Sequence, residues 1–309
     1  MNKPKMIMIC GLPGSGKSTL AKEITETNNA NIHSSDSIRE ELSGDINNQD
    51  INGVVFQTLH NRIKEDLRNG KNCIYDACNI SYKRRMSFLE SLNKIPCDKI
   101  CILMATPYEQ CLKNNNSRDR VVPQGVIERM YRTYDLPWYY EGWDEIRIEY
   151  SSESDNSFGW PSGWINSVKD YSQDNSHHTL TLGEHCWQVF EYLNKRQINS
   201  TSPEVLKYAA MLHDCGKSFC KTFTNTKGEV TEQAHYYSHE HTGSYDSLFY
   251  QTPYRNLRLR MAVLIRWHMQ PYFWEKDNNE KSQNKYRKLW GEDLYKDIMQ
   301  LHEADKAAH

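Results

Sequence analysis

The chain has 309 residues, 38% of them hydrophobic and 25% charged, with a formal net charge of −2. That length accommodates two domains, each able to bury its own core. The near-neutral charge excludes a global attraction to nucleic acid, so such a partner needs local basic groups, and no apolar run approaches the roughly 18 to 20 residues of a membrane span.

The opening MNKPKMIMICG carries an apolar run too short for a secretory leader and reads as a strand. Nine cysteines, with no C-x-x-C pair, fit reduced thiols in a cytoplasmic protein. Over residues 1–150, KMIMICG, ANIHSSD, KNCIYDA, DKICILMA and DEIRIEY read as strands, with amphipathic patterns between most of them. This alternation predicts an α/β fold, a parallel sheet wrapped by helices, with chemistry at the carboxyl ends of its strands.

Residues 151–176 are rich in Ser, Asn, Asp and Gly and read as a linker or irregular connection whose aromatics pack on something. From 177 to 309 the pattern is all-helical. Thr181 and Glu184 form a capping-box pattern ahead of HCWQVFEYLNK. Ser202-Pro203-Glu204 starts a helix that runs to Asp214, with Gly216 as its stop. LRLRMAVLIRWHM and EDLYKDIMQLHEADKAA predict two more helices, and no internal repeat is present.

Gly11 to Ser18 satisfies G-x-x-x-x-G-K-[ST] between a strand and a helical pattern. Gly11, Gly14, Ser15 and Gly16 would turn backbone N–H groups onto nucleotide phosphates. Lys17 adds a point charge, Ser18 can hold Mg²⁺, and Thr19 follows in the first helical turn. The second strand ends in HSSDSIREEL. Asp36 there can take a proton from an attacking hydroxyl, and Arg39, on the same helical face, can hold an anionic part of the acceptor. A plain helix cap is the competing reading of Asp36. Asp76 closes the third strand, followed by Arg84 and Arg85. Arg118 and Arg120, in a polar segment before a helix, suit a lid that brings charge to a transferring phosphoryl group, although any single arginine is more often a solvated surface residue.

Taken together, GLPGSGKS, S-x-D with a downstream Arg, D-x-x-N with RR, and the arginine segment ending in V-P resemble the polynucleotide 5′-kinase domain of phage and bacterial end-healing enzymes. The resemblance spans residues 5–150. It implies ATP or another NTP with Mg²⁺, Asp36 as general base toward a 5′-hydroxyl, Arg39 as a clamp on the neighbouring phosphate, and lid arginines on the donor phosphates. The phage relatives space their lid arginines more widely, which leaves the division of labour between Arg118 and Arg120 open.

The second half supplies His185, His213, Asp214, His239, His268 and Asp305. A lone histidine is usually structural, but the order H…HD…H…H…D, with LHDCGK and HYYSHEHTG, resembles the HD phosphohydrolase superfamily over residues 178–309. Neighbours on a helix point about 100° apart, so His213 and Asp214 can address different parts of one site. An aspartate there can bridge two cations. Mixed imidazole and carboxylate ligands suit one or two of Mn, Fe, Co, Ni or Zn better than Mg. Lys217 could meet an anionic substrate, and His178, His235 and His241 are secondary candidates.

A kinase for 5′-hydroxyls and a hydrolase for phosphate esters make sense together on a polymer with two faulty ends. The resemblance therefore implies end healing: 5′-phosphorylation plus removal of a 2′,3′-cyclic phosphate or 3′-phosphate. Nucleic-acid ends are the expected partners, RNA ahead of DNA, with a separate ligase to join the healed ends and no membrane. Two rivals stand beside it: a nucleoside or sugar kinase fused to a nucleotide phosphohydrolase, and a nucleotide-switched binding module without catalysis.

Overall fold

A computed structural model describes residues 3–151, 154–176 and 179–308. The chain divides into two compact units, one of residues 3–130 and 137–151, the other of residues 131–136 and the described residues from 154 onward. Among the described residues no helix is long and apolar enough to cross a membrane.

The first unit holds strands β1 (Lys5–Cys10), β2 (Ala30–Ser34), β3 (Asn72–Asp76), β4 (Asp98–Ala105) and β5 (Glu145–Tyr150). They form one sheet in the order β2-β3-β1-β4-β5, every pair parallel. Helices α1 (Lys17–Asn28), α2 (Ser35–Ser43), α3 (Asn52–Arg68), α4 (Tyr82–Glu90), α5 (Tyr108–Asn116) and α6 (Gln124–Tyr131) connect them. The central strand is apolar from Met6 to Cys10, where both faces are covered. Met6, Met8 and Cys10 pack with Val55, Leu59 and Ile63 of α3 and Phe88 of α4. Ile7 and Ile9 pack on the opposite face with Ala21 of α1. Strand register sets Asp76 beside Ile9 on one side and Ser34 on the other. The carboxyl ends of β1, β2 and β3 thus meet where β1 opens into its glycine loop.

The second unit is largely helical: α7 (Pro161–Ser167), α8 (Leu182–Asn194), α9 (Pro203–Leu212), α10 (Lys217–Cys220), α11 (His239–Asp246), α12 (Arg258–Trp267), α13 (Gln270–Asp277) and α14 (Glu280–Ala307). Thr181 caps α8 in a reciprocal box: its hydroxyl accepts from the Glu184 N–H, and the Glu184 carboxylate accepts from the Thr181 N–H. Gly291, at φ +78°, breaks the helical backbone within α14.

Two stretches differ from the sequence reading. The second unit is not all helix, because β6 (Thr222–Thr224) and β7 (Val230–His235) pair as an antiparallel hairpin between α10 and α11. Its turn is set by Asn225, whose side-chain oxygen accepts from the N–H groups of Lys227 and Glu229, and by Gly228 at φ +84°. The stretch read as an irregular connection contains α7, and backbone bonds from Leu182 to Tyr171 and from Gly183 to Val168 tie it to the start of α8.

Candidate active sites

In the first unit the loop after β1 is shaped by Gly14 and Gly16, at φ +82° and +93°, a region that L side chains rarely occupy. A Cβ on Gly14 would also lie 2.2 Å from the Cys111 carbonyl oxygen of α5, so glycine is required for space as well. The Thr106 hydroxyl and the Asn114 amide brace the loop by donating to the carbonyls of Ser15 and Gly14. The Gly11 N–H donates to Cys78 O, joining the loop to the segment after β3.

Lys17 donates to Leu12 O at 2.8 Å, spanning the loop. Ser18 donates to Asp76 Oδ2 at 3.0 Å. Burial raises the Asp76 carboxyl above its ordinary range, while Lys17 and Ser18 pull it back. Ser18 and Asp76 are hard oxygen ligands placed next to the phosphate loop, and they fit Mg²⁺ held with a nucleotide.

Asp36, in the first turn of α2, is half exposed. Arg39, one turn later, is buried and donates to Asp36 Oδ1 at 2.7 Å and to Asn52 Oδ1 at 2.8 Å. Arg120 donates to Asp36 Oδ2 at 2.5 Å and to Asn47 Oδ1 at 3.0 Å. Arg118 folds back on α5, 2.5 Å from Asn115 Oδ1. The two arginines therefore differ: Arg120 meets the Asp36 carboxylate and Arg118 its own helix. Arg85 is buried at 1% exposure in a two-pronged pair with Glu141, at 2.7 and 2.6 Å, which makes it part of the scaffold.

In the second unit all six expected groups converge. His185 comes from α8, His213 and Asp214 from the end of α9, His239 from the first position of α11, His268 from the end of α12 and Asp305 from α14. Every one is at least 94% buried. Asp214 Oδ2 lies 3.2 Å from His213 Nε2 and 3.5 Å from His185 Nε2, and its Oδ1 lies 3.2 Å from His239 Nε2 and 3.7 Å from His268 Nε2. Asp305 Oδ1 lies 3.1 Å from His185 Nε2. Two triads result, His185-His213-Asp214 and Asp214-His239-His268, sharing Asp214.

The outer nitrogens explain the inner arrangement. Nδ1 of His185, His213, His239 and His268 faces the carbonyls of Ala308, Ala210, Tyr236 and Ile265 at 3.3, 2.8, 2.8 and 2.6 Å. A carbonyl can only accept, so each Nδ1 carries the proton and each Nε2 turns a lone pair inward. The inward nitrogens stand 3.1 Å apart in the His185–His213 pair and 3.2 Å apart in the His239–His268 pair. Paired lone pairs beside two buried carboxylates call for cations between them. Burial opposes charge on Asp214, and the Lys217 ammonium beside it answers that penalty, so its carboxyl stays well below the ordinary range. The donor set fits two divalent ions with nitrogen affinity, bridged by Asp214.

Gly216 lets the end of α9 approach α11, since a Cβ there would lie 2.2 Å from His239 O. Lys217 is 4% exposed, and its ammonium donates to Asp214 Oδ2 and to Gln173 Oε1, both at 2.8 Å. It steadies the shared carboxylate, where the sequence suggested a substrate contact. His241 faces Tyr134 O and Asp135 at 3.3 and 3.5 Å, and the His235 ring stacks on Tyr237. Neither joins the two triads among the described residues, and His178 lies outside those residues.

Residues 6–137 match the family model described as AAA domain. The L-seryl-tRNA(Sec) kinase of Methanococcus maripaludis is 28% identical over 157 residues, 48% of this chain. The match covers 61% of that relative's length. Among solved structures, the Pnkp1/Rnl/Hen1 RNA repair complex is similar at 22% identity and TM-score 0.37, over 42% of this chain and 43% of the other. A gluconokinase from Sinorhizobium meliloti 1021 is similar at 16% identity and TM-score 0.36, over 50% of this chain and 86% of the other. The family match thus falls on the parallel α/β unit that carries the glycine loop.

Sequence reasoning missed Gln173, Asn47 and Asn52. Gln173 is 2% exposed and lies in the stretch read as a connection, where no motif or period marks it. Asn52 opens α3 and holds Arg39, a contact that only the fold brings about.

Proposed function

We propose that this chain heals nucleic-acid ends, RNA ahead of DNA, phosphorylating 5′-hydroxyls with ATP and removing 2′,3′-cyclic phosphate or 3′-phosphate groups. The observation that carries the reading is the coexistence, on one chain, of a phosphate loop with a carboxylate at the neighbouring strand end and a buried cluster of six groups, five of them in two triads that share Asp214 and the sixth, Asp305, against His185.

In the kinase step Asp36 accepts the proton of the acceptor hydroxyl while that oxygen bonds to the γ-phosphorus. The bond to the β–γ bridging oxygen breaks and ADP leaves. Lys17 and the loop N–H groups bear the growing charge, Ser18 and Asp76 would hold Mg²⁺, and Arg39 fixes the phosphate next to the hydroxyl. Arg120 must release Asp36 for the proton to be accepted, and its guanidinium then becomes available to an anionic ligand.

In the second unit, bound divalent ions would supply an activated water and neutralise the phosphoryl oxygens. His185, His213 and Asp305 would hold one ion, His239 and His268 the other, and Asp214 both. Lys217 keeps the shared carboxylate in place. The hydrolytic step adds water across a P–O bond, opening a cyclic ester or releasing inorganic phosphate.

A second reading comes from the methanogen relative, whose name places its acceptor on seryl-tRNA. One assay separates them. An oligoribonucleotide with 5′-hydroxyl and 2′,3′-cyclic phosphate ends, a seryl-tRNA, and free nucleosides and sugars are each incubated with labelled ATP and divalent metals, and the label and both oligonucleotide termini are mapped. Label on the 5′ carbon oxygen and loss of the cyclic ester support end healing. Label only on an aminoacyl hydroxyl, or only on free nucleosides or sugars, rejects it.

A further inference from the structure

The first part of α14, before the break at Gly291, has two opposite faces. Tyr286 and Trp290 pack inward, with Tyr286 5.4 Å and Trp290 5.3 Å from Trp267, which directly precedes the cluster residue His268. Trp274 of α13 joins the same aromatic core, 5.6 Å from Trp290. Lys281, Lys285 and Lys288 follow one another at four and three residues, so they share the other face, and all three are exposed.

Among the described residues no ion pair engages these three lysines, and Glu292, four positions after Lys288 and beyond the Gly291 break, is taken by Arg287. The residues between them are Ser282, Gln283, Asn284, Tyr286 and Arg287, and Arg287 is engaged by Glu292 at 2.6 Å. Like charges at such spacings oppose helix formation. The face therefore carries a repulsion that a polyanion would relieve, and it sits on a helix anchored beside a cluster residue.

From this face, and resting on the end-healing reading, we infer that Lys281, Lys285 and Lys288 bind the phosphodiester backbone of a single-stranded nucleic acid whose end is processed at the six-group cluster. Spacing along the helix matches recognition of charge without sequence: three ammonium groups meet phosphates. A membrane surface is disfavoured, because an interfacial helix exposes its aromatic face to lipid, and here that face is occupied by Trp267 and Trp274.

The test compares the full chain with a triple variant, Lys281→Gln, Lys285→Gln and Lys288→Gln, with folding checked by circular dichroism and thermal unfolding. Binding of a labelled single-stranded 20-mer is followed by fluorescence anisotropy across a salt series. Each phosphate contact to a single strand contributes about 0.7 to the slope of log affinity against log salt, so the slope should become shallower by about 2. On the 20-mer the variant should lose roughly tenfold in kcat/KM for 3′-end hydrolysis, by loss of uniform binding, while a nucleoside 2′,3′-cyclic phosphate is turned over as before. An unchanged salt slope overturns the inference, as does wild-type protein that fails to bind the 20-mer. So does a variant that loses only its binding to vesicles of acidic phospholipid. Wild-type protein that binds the 20-mer with the expected slope yet hydrolyses no phosphate ester instead refutes the reading of the cluster and leaves the binding face standing.

Discussion

Arg120 lays a guanidinium nitrogen 2.5 Å from Oδ2 of Asp36. Arg39 already donates to the carboxylate's other oxygen, so both oxygens of the candidate base are occupied by cations. Arg39 is buried and also held by Asn52, whereas Arg120 is partly exposed, so Arg120 is the partner that can leave.

Asp36→Asn should abolish 5′-phosphorylation while ATP binding persists. Asparagine keeps the shape but cannot take the proton, a loss of roughly two to four orders of magnitude in kcat. ATP affinity by calorimetry and single-turnover phosphorylation are the two readouts. Near-normal turnover would make Asp36 a cap for α2 and nothing more.

Chelation should separate the two activities. The kinase ligands are oxygens and should accept Mg²⁺ alone, while four histidine nitrogens in the second unit call for a transition metal. After exhaustive chelation, Mg²⁺ should restore phosphorylation but not hydrolysis, and Mn²⁺, Co²⁺, Ni²⁺ or Zn²⁺ should restore the latter. Saturating metal should also raise the thermal midpoint, by about 4 kcal/mol of added stability at a thousand times Kd. Equal recovery of both activities with Mg²⁺ would mean the six-group site is wrong or incomplete.

Glu141→Gln should weaken the first unit severely. The Arg85–Glu141 pair is buried on both sides, and Trp143 also donates to Glu141. Removing one charge strands the other, which costs about 3–5 kcal/mol. Chemical denaturation of wild type and variant gives the difference, and a shift under about 1 kcal/mol would place the pair in a wetter setting than its burial indicates.

His60 gives the first unit a pH dependence. Its ring lies 4.4 Å from Phe88, and burial, with Lys64 adding to it, holds its pKa down from 6.5 to about 4. Below pH 6.5 the unfolded chain therefore binds a proton that the folded chain refuses until about pH 4. The contribution is complete above pH 6.5 and lost as pH falls toward 4. His60→Phe should flatten the denaturation midpoint across that window, and an equally steep profile in the variant would assign the dependence to other groups.

Much of this architecture was legible because the signals were local. Five apolar runs became the five strands, and the glycine motif fell between β1 and α1 as its pattern required. The order of histidines and aspartates foretold a cluster because each stood at a helix or its end. What escaped the sequence depends on distant partners. Gln173 reaches Lys217 across 44 positions, Arg120 reaches Asp36 across 84, and Glu141 reaches Arg85 across 56. The hairpin at Thr222–His235 was within reach, since Asn225 and Gly228 announce its turn, but its polar strands lack an apolar alternation.

The central claim is that one chain carries two independent phosphate chemistries, and Lys17→Ala and Asp214→Ala test it most directly. Both purified variants, with folding checked by circular dichroism, are given the oligoribonucleotide bearing 5′-hydroxyl and 2′,3′-cyclic phosphate ends, and both termini are mapped. Lys17→Ala removes charge from the donor phosphates and touches no member of the two triads; Asp214→Ala removes the carboxylate shared by both triads and leaves the phosphate loop intact. The account predicts that the first variant loses 5′-phosphorylation and keeps 3′-end hydrolysis, and that the second does the reverse. Loss of both activities in either folded variant would contradict it.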